Sequence, residues 1–349
     1  MSVLPAGQGD SILLEYGDPL APHRVLVDGG PARCYDHLAA RLAELPADRR
    51  HLELLVLTHV DGDHIEGVLK LVNDAGLGVR IDEAWFNGYE QLPPDDYLGP
   101  AQGEILSALL KARAIPLNAA FGGGAVCRRP GSDLPRVRLP GGLALTVLGP
   151  DLATLRALRS VWEVECRRAG IEPGSQRDAF ELLAARAKLR PLDAYLDGFD
   201  PAALAAAPEA DEDASITNAS SIVLLAEYDG SAVLLAGDAT PPGLTGGLER
   251  LLAERDRAVL DLSAVKLPHH ASRRNVTREV LGLLRAPAWL VSSDGSYFGH
   301  PDPEAIARVV TARPGGRLLF NYRTEKTGLW ADHGATYPSD IDRGIVLRL

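Results

Sequence analysis

The segment Thr58-His59-Val60-Asp61-Gly62-Asp63-His64 places two imidazoles and two carboxylates within six positions, directly after the apolar run Leu52–Leu57. Neutral nitrogen and anionic oxygen donors held this close together are what a divalent transition metal binds. The plainer reading is a solvated turn, opened by Gly62, in which Asp63 caps the next helix. Three other places repeat the pattern of an apolar run that ends in donors. They are Leu234-Leu235-Ala236-Gly237-Asp238, Lys266-Leu267-Pro268-His269-His270, and Gly299-His300-Pro301 after the run Ala288–Ser292. Each alone reads as a turn or a pair of structural histidines. Together they hold five of the nine histidines in the chain. Donors at the ends of neighbouring strands converge in space. The donors of these four motifs are therefore expected to meet in space.

The positioning elements follow from apolar periodicity. Strands are expected at Ser11–Tyr16, Arg24–Val27, Leu52–Leu57, Ile81–Phe86 and Leu143–Leu148, with helices near Tyr35–Leu45, Ile65–Asp74 and Gly103–Ala114. Leu152 to Ala207 is rich in Ala, Leu, Arg and Glu, and reads as a helical insertion with breaks at Gly170 and Pro191. Residues 208–213, Pro-Glu-Ala-Asp-Glu-Asp, read as a solvated acidic linker. Strands return at Ser221–Tyr228 and Ala232–Leu235 through the turn Asp229-Gly230, then at Val265–Leu267, Ala288–Ser292, Arg317–Phe320 and Ile345–Leu349. Two strand-rich halves, 1–150 and 215–349, around an insertion at 151–214 suggest an α/β fold. A four-layer αββα sandwich with antiparallel or mixed sheets fits better than a doubly wound sheet.

Composition narrows the function. The 349 residues are 46% hydrophobic and 24% charged, enough for a packed core. A net charge of −11 disfavours a non-specific nucleic-acid coat. Cys34, Cys127 and Cys166 are odd in number and far apart, which argues against a disulfide framework and a thiolate zinc site. No apolar run reaches bilayer length and no signal peptide is visible, so a cytoplasmic protein is expected.

In these motifs the chain resembles the metallo-β-lactamase-fold metallohydrolases, and within them the hydrolase domain of the competence protein ComEC and its free-standing soluble relatives. The resemblance rests on Gly7-Gln8-Gly9-Asp10-Ser11, Val27-Asp28-Gly29-Gly30, His59 to His64, Asn218 to Leu225, Gly237-Asp238, Pro268-His269-His270-Ala271-Ser272 and Tyr297-Phe298-Gly299-His300-Pro301, which occur in the family's order. It implies the αββα sandwich and one or two divalent ions, zinc or manganese, with iron possible. His59 and Asp61 would serve one ion, Asp63 and His64 the other, with Asp238 bridging both or binding one. His269, His270 and His300 would supply the remaining nitrogens or contact substrate, and either member of the pair could be the ligand. Asp10 and Asp28 would orient ligating histidines or hold turns. The chain departs from the family's commonest form in carrying Asp61 in place of a histidine, although the ComEC-like branch also uses Asp there. It also carries Thr217-Asn218-Ala219-Ser220 where a further histidine is usual, and Asn218 is a weaker ligand than imidazole. Ala271 replaces a glycine.

The chemistry so implied is hydrolysis by a metal-bound hydroxide, with Asp63 orienting it and the non-ligating member of the His269-His270 pair protonating the leaving oxygen. Arg273 and Arg274 suit a phosphodiester, as guanidinium binds phosphate in a bidentate manner; the alternative is a solvated basic turn. A nuclease or phosphodiesterase acting on nucleotides or short single strands is expected. The rivals are a hydrolase of a small ester, thioester or lactam, which would need a pocket from Trp85, Phe86, Tyr89, Trp162 and Trp330 although such residues more often fill a core, and a catalytically reduced metal- or partner-binding module. The sequence leaves the oligomeric state open.

Overall fold

The computed structural model describes residues 1–92, 101–169, 199–296 and 298–348. The apolar runs pair into two mixed sheets. The first has six strands in the order Ile345–Val346, Ser2–Val3, Ile12–Tyr16, His23–Val27, Leu54–Val56, Ala84–Trp85. The second has eight, in the order Ala335–Thr336, Arg317–Phe320, Ala288–Val291, Ala264–Lys266, Ser231–Leu235, Val223–Tyr228, Ala144–Gly149, Arg136–Arg138. The sheets do not divide at residue 150: two strands from before it belong to the second sheet, and Ile345–Val346 pairs with Ser2–Val3 of the first. Asp229 and Gly230 both have positive φ, which makes the tight hairpin their types favour.

Parallel pairing gathers the donors. His23–Val27 runs parallel to Leu54–Val56, and Ser231–Leu235, Ala264–Lys266 and Ala288–Val291 run parallel in succession. Parallel neighbours end at the same edge of a sheet. Asp28 and His59 thus emerge side by side from the first sheet, and Asp238, the His269-His270 pair and Ser292 from the second.

Alternate residues of each strand enter different apolar clusters, because successive side chains point to opposite faces. Leu54, Val56, Val233 and Leu235 meet in a cluster shared by both sheets. Leu55 and Leu26 instead pack with Leu38, Ile65, Val68, Leu109 and Trp162 of flanking helices. Leu234 and Val265 pack with Leu244, Leu248, Ile306 and Val309 of another helical set. Burial on both faces is why these strands read as unbroken apolar runs. Each fully buried Leu or Val contributes roughly 1.5–3 kcal/mol.

Helix Gly62–Asn73 begins three residues earlier than its apolar pattern predicts. Asp63 and His64 therefore ride its first turn, a rigid setting, rather than a loop. Two glycines allow this helix to press on the turn after His23–Val27. A Cβ on Gly67 would lie 1.9 Å from the Gly29 carbonyl oxygen, and one on Gly29 2.3 Å from the Val68 nitrogen.

The predicted insertion is anchored at both ends. Helix Leu152–Ala169 sends Leu155, Leu158 and Trp162 into the core beneath the first sheet, where Trp162 Nε1 donates to Glu104 Oε1 at 2.9 Å. Helix Pro201–Ala206 packs on helix Pro303–Ala312 beside the second sheet. Residues 170–198, with Gly170 and Pro191, lie outside the described residues. No described helix is long and apolar enough to cross a membrane.

The pocket that the small-ester alternative would build from Trp85, Phe86, Tyr89, Trp162 and Trp330 does not form, and the commoner use of such residues, the core, holds for four of them. Trp85, Phe86, Trp162 and Trp330 are at most 2% exposed and are divided among the three cores. Tyr89 carries the Arg159 guanidinium 4.0 Å from its ring centroid. Burying these rings in the cores removes more apolar area from water than a cleft would.

Candidate metal centre

The ordinary use of Asp61 would be to cap helix Gly62–Asn73, since it stands at the N-cap position. Its side chain makes no cap hydrogen bond and instead lies 3.7 Å from His59 Nε2. Asp63 and His64, one and two residues into the helix, face the same space.

Asp238 is the meeting point. One of its oxygens, Oδ2, lies 3.4 Å from Nε2 of both His64 and His270, 3.8 Å from Nε2 of His269 and 3.9 Å from Nε2 of His59. Asp63 Oδ2 is 3.5 Å from His270 Nε2 and 4.0 Å from His64 Nε2. A tetrahedral ion with bonds of about 2.0–2.2 Å sets its donors about 3.3–3.6 Å apart. The His64–Asp238, His270–Asp238 and Asp63–His270 contacts match that spacing. The Asp63–His64 contact, at 4.0 Å, and those of His59, Asp61 and His269, at 3.7–3.9 Å, are a few tenths of an ångström wider.

Each buried imidazole is held by its far nitrogen. His64 Nδ1 donates to Asp28 Oδ2 at 2.9 Å. The Thr58 hydroxyl donates to the same oxygen at 2.8 Å and lies 3.0 Å from His59 Nδ1, so Asp28 orients both histidines, one directly and one through Thr58. Asp28 itself is fully buried in a left-handed conformation, φ 60, and also accepts the Thr58 backbone N–H at 2.8 Å. His270 Nδ1 donates to the Ser292 carbonyl at 2.8 Å, with Asp10 Oδ1 at 3.4 Å. Asp10 in turn pairs with the buried Lys266 ammonium at 2.6 Å.

Among the described residues, the Nε2 atoms of His59, His64 and His270 and the Oδ1 atom of Asp238 are buried with no hydrogen-bond partner. Buried polar atoms are nearly always satisfied. Unpartnered atoms gathered in overlapping triads, His59-His64-Asp238 and Asp63-His64-His270 among them, fit a cation, and the mixture of imidazole and carboxylate suits a transition ion such as zinc or manganese. Electrostatics agree. Burial opposes charge on His64 and His270, but the carboxylates around them, Asp238 foremost, outweigh it and hold both pKa values well above that of free imidazole. Burial likewise opposes charge on Asp238, and the imidazoles of His270, His64 and His269 hold it well below the usual carboxylate range.

The backbone at the pair is unusual. His269, His270 and Ala271 have φ of 46, 50 and 63, three left-handed residues in succession. Non-glycine residues pay roughly 1–2 kcal/mol each for this conformation. It turns His270 into the tight set and leaves His269 at the more open side.

His300 and Arg273 stand apart from this convergence. The His300 ring meets His269 edge-on at 5.2 Å, with Nδ1 3.5 Å from Asp302 Oδ2. Arg273 is half exposed and its guanidinium pairs with Glu304 at 3.1 Å, while Arg274 Nε donates to the Asp211 carbonyl. Sequence reasoning missed Thr58, Lys266, Asn275 and Asp213. Asp213, expected in a solvated linker, has a largely buried carboxylate, 3.1 Å from His269 Nδ1. Only the position of Thr58 beside His59 offered a signal.

Compared with known proteins, the chain matches no family model and no curated sequence.

Proposed function

We propose that this protein is a metal-dependent hydrolase of the metallo-β-lactamase fold that acts on phosphodiester bonds. The observation that carries this reading is the convergence of buried, unpartnered imidazole nitrogens from His59, His64 and His270 on Asp238. Two sheets sharing one apolar cluster, each with helices on its other face, support the αββα sandwich. The ordered motifs support the ComEC-like branch.

Donors from Asp63, His64, Asp238 and His270 would hold one divalent ion, zinc or manganese with iron as a further candidate, with a further position kept for water. A bound ion lowers the pKa of water and polarises the phosphoryl group. Asp63 accepts a hydrogen bond from the attacking water and fixes its direction. Asp28 and Ser292 keep a proton of His64 and of His270 on Nδ1, so that Nε2 is the nitrogen each would turn to an ion, giving up its own proton on loading. His300, outside the tight set and backed by Asp302, returns a proton to the leaving oxygen. The net charge of −11 suits a nucleotide or a short single strand better than a long duplex. Burial of Trp85, Phe86, Trp162 and Trp330 takes away those rings as the lining a small ester or lactam would use, which favours the phosphodiester reading.

The test is elemental analysis of protein purified without chelators, with hydrolysis of bis-p-nitrophenyl phosphate compared with p-nitrophenyl acetate. At least one bound equivalent is expected, with phosphodiester cleavage that a chelator and His64→Ala both abolish. Metal-free protein that cleaves at the same rate, or faster turnover of the acetate, would overturn the reading.

A further inference from the structure

We propose that Phe298 and Lys326 form a subsite for single-stranded nucleic acid at the rim of the candidate centre, in which the ring stacks an unpaired base and the ammonium binds the phosphate backbone. The inference rests on the phosphodiesterase reading above and narrows its substrate to a strand that carries bases.

The first argument is the placement of Phe298. It is 56% exposed, the most exposed phenylalanine among the described residues. Its ring lies nearly parallel to that of His300, at 28° and 6.2 Å between centroids. His300 in turn meets His269 edge-on at 5.2 Å, and His269 Nε2 is 3.8 Å from Asp238 Oδ2. One imidazole thus separates the exposed ring from the donors around Asp238. A lone exposed apolar side chain is ordinary in a folded protein, but the loop that carries this one is pinned. The Ser293 hydroxyl donates to the His300 carbonyl at 2.9 Å and closes the loop at its base. The Asp294 amide donates to the Gly7 carbonyl at 2.9 Å, and Arg33 Nη2 to Ser296 Oγ at 3.1 Å. These bonds tie the loop to both sheets and hold Phe298 out of the core.

The second argument is charge. Lys326, in the short helix Glu325–Gly328, is half-buried, and its ammonium donates to the carbonyl of Gly299, the residue between Phe298 and His300. Among the described residues no carboxylate pairs with it. An ammonium has more donors than this one bond uses. The neighbouring cations are already engaged: Arg33 lies 3.5 Å from Asp294 and donates to the Gln8 amide oxygen, and Arg273 pairs with Glu304 at 3.1 Å. In a protein of net charge −11, an unpaired cation beside the candidate centre is a local attraction for an anionic backbone.

The two features together call for one kind of ligand. Proteins that hold single strands combine a cationic track for the backbone with aromatic faces for the bases, and such stacking tolerates any base. A duplex keeps its bases paired and stacked inside, so Phe298 would meet only an unpaired one. A phosphodiester without bases would engage Lys326 alone. A strand held at the Asp238 centre would lay its next nucleoside across the loop of Phe298.

The test is fluorescence titration of chelator-stripped protein with a DNA trinucleotide that carries 2-aminopurine between two thymidines, repeated over a series of salt concentrations. Stacking quenches 2-aminopurine, so wild type is expected to bind and to quench. Phe298→Ala should weaken binding about 5–150-fold and abolish the quench, and Phe298→Trp should restore both. Lys326→Met should keep the quench at saturation but lower the slope of log affinity against log salt by about 0.7, the share of one phosphate on a single strand. Wild type that binds without quenching, Phe298→Ala titrating like wild type, or Lys326→Met with the wild-type salt slope would overturn the proposal. Should Lys326→Met not fold, the exposed Phe298 still decides, because an unchanged quench in Phe298→Ala excludes the ring. The titration needs no metal, so the two readings fail separately. Quenching by a wild type that binds no divalent ion upholds the subsite and sinks the hydrolase. Cleavage of bis-p-nitrophenyl phosphate by a wild type that does not quench the trinucleotide overturns the subsite alone.

Discussion

Replacing Asp28 with Asn removes a charge from behind the candidate centre while keeping the volume. Asparagine tolerates the left-handed backbone that Asp28 adopts, so the turn itself should survive. In the native protein the carboxylate accepts from the Thr58 amide at 2.8 Å, the Thr58 hydroxyl at 2.8 Å and His64 Nδ1 at 2.9 Å. An amide oxygen can keep the first bond. Its NH2 group then faces the Thr58 hydroxyl and His64 Nδ1. To accept from that NH2, His64 must move its own proton to Nε2, the atom 3.4 Å from Asp238. A protonated Nε2 cannot ligate, and the hold on His59 through Thr58 loosens as well. The expected loss is about 10–100-fold in metal affinity, or about 1.4–2.7 kcal/mol. Equilibrium dialysis against Mn2+ or Zn2+ with elemental analysis measures it, and thermal melting of the metal-free variant controls for folding. Isotherms of wild type and Asp28→Asn that overlay within threefold would refute the argument that Asp28 sets the tautomer.

Opposite pH slopes are expected with and without metal. Burial is overcome by Asp238 and its neighbours to raise His64 and His270, so their stabilising charge is complete below about pH 6.5 and lost as pH rises through the raised values; Asp63 and Asp238 are lowered against burial by the imidazoles, so their part is present above about pH 3.9 and lost as pH falls through the lowered values. Metal-free protein should therefore melt at a falling temperature above pH 6.5, whereas Mn2+ should stabilise more as pH rises because it displaces those protons; parallel slopes with EDTA and with Mn2+ would contradict this. Lys266→Met leaves Asp10 charged and unpaired in the core and should cost about 3–5 kcal/mol in urea unfolding, with most of it recovered by Lys266→Met/Asp10→Leu. Arg273→Ala, at an exposed pair with Glu304, should change stability by less than about 1 kcal/mol, so a rise in KM for a phosphodiester would report substrate binding alone.

Several candidate donors were legible because they follow strands buried on both faces, and such strands announce themselves as apolar runs. His59, Asp238 and the His269-His270 pair all come directly after one. The Asp229-Gly230 hairpin was legible for a local reason, as few residue pairs accept two positive φ values. The start of helix Gly62–Asn73 was not, because glycine is a poor helix former and Asp61 gives no capping bond. Asp213 was hidden by its composition: one carboxylate in an acidic run looks solvated until His269, 56 residues later, folds against it. The aromatic residues could be read two ways, since their bulk suits a cleft or a core; the core, their commoner place, is where Trp85, Phe86, Trp162 and Trp330 lie. Arg273 shows the same limit, because Glu304 is 31 residues away.

Asp63 and His64 come from the side of the first sheet, Asp238 and His270 from the edge of the second. A cation held by all four would act as a rivet between two layers that otherwise adhere through apolar contact, the Asp10–Lys266 ion pair and a few hydrogen bonds such as that from Ser292 Oγ to the Gly9 carbonyl. Its grip would grow with supply: at a free concentration a hundred times the dissociation constant, the joint gains about 2.7 kcal/mol. A nascent chain with one sheet assembled would own half a socket, so loading would have to wait until both layers have met.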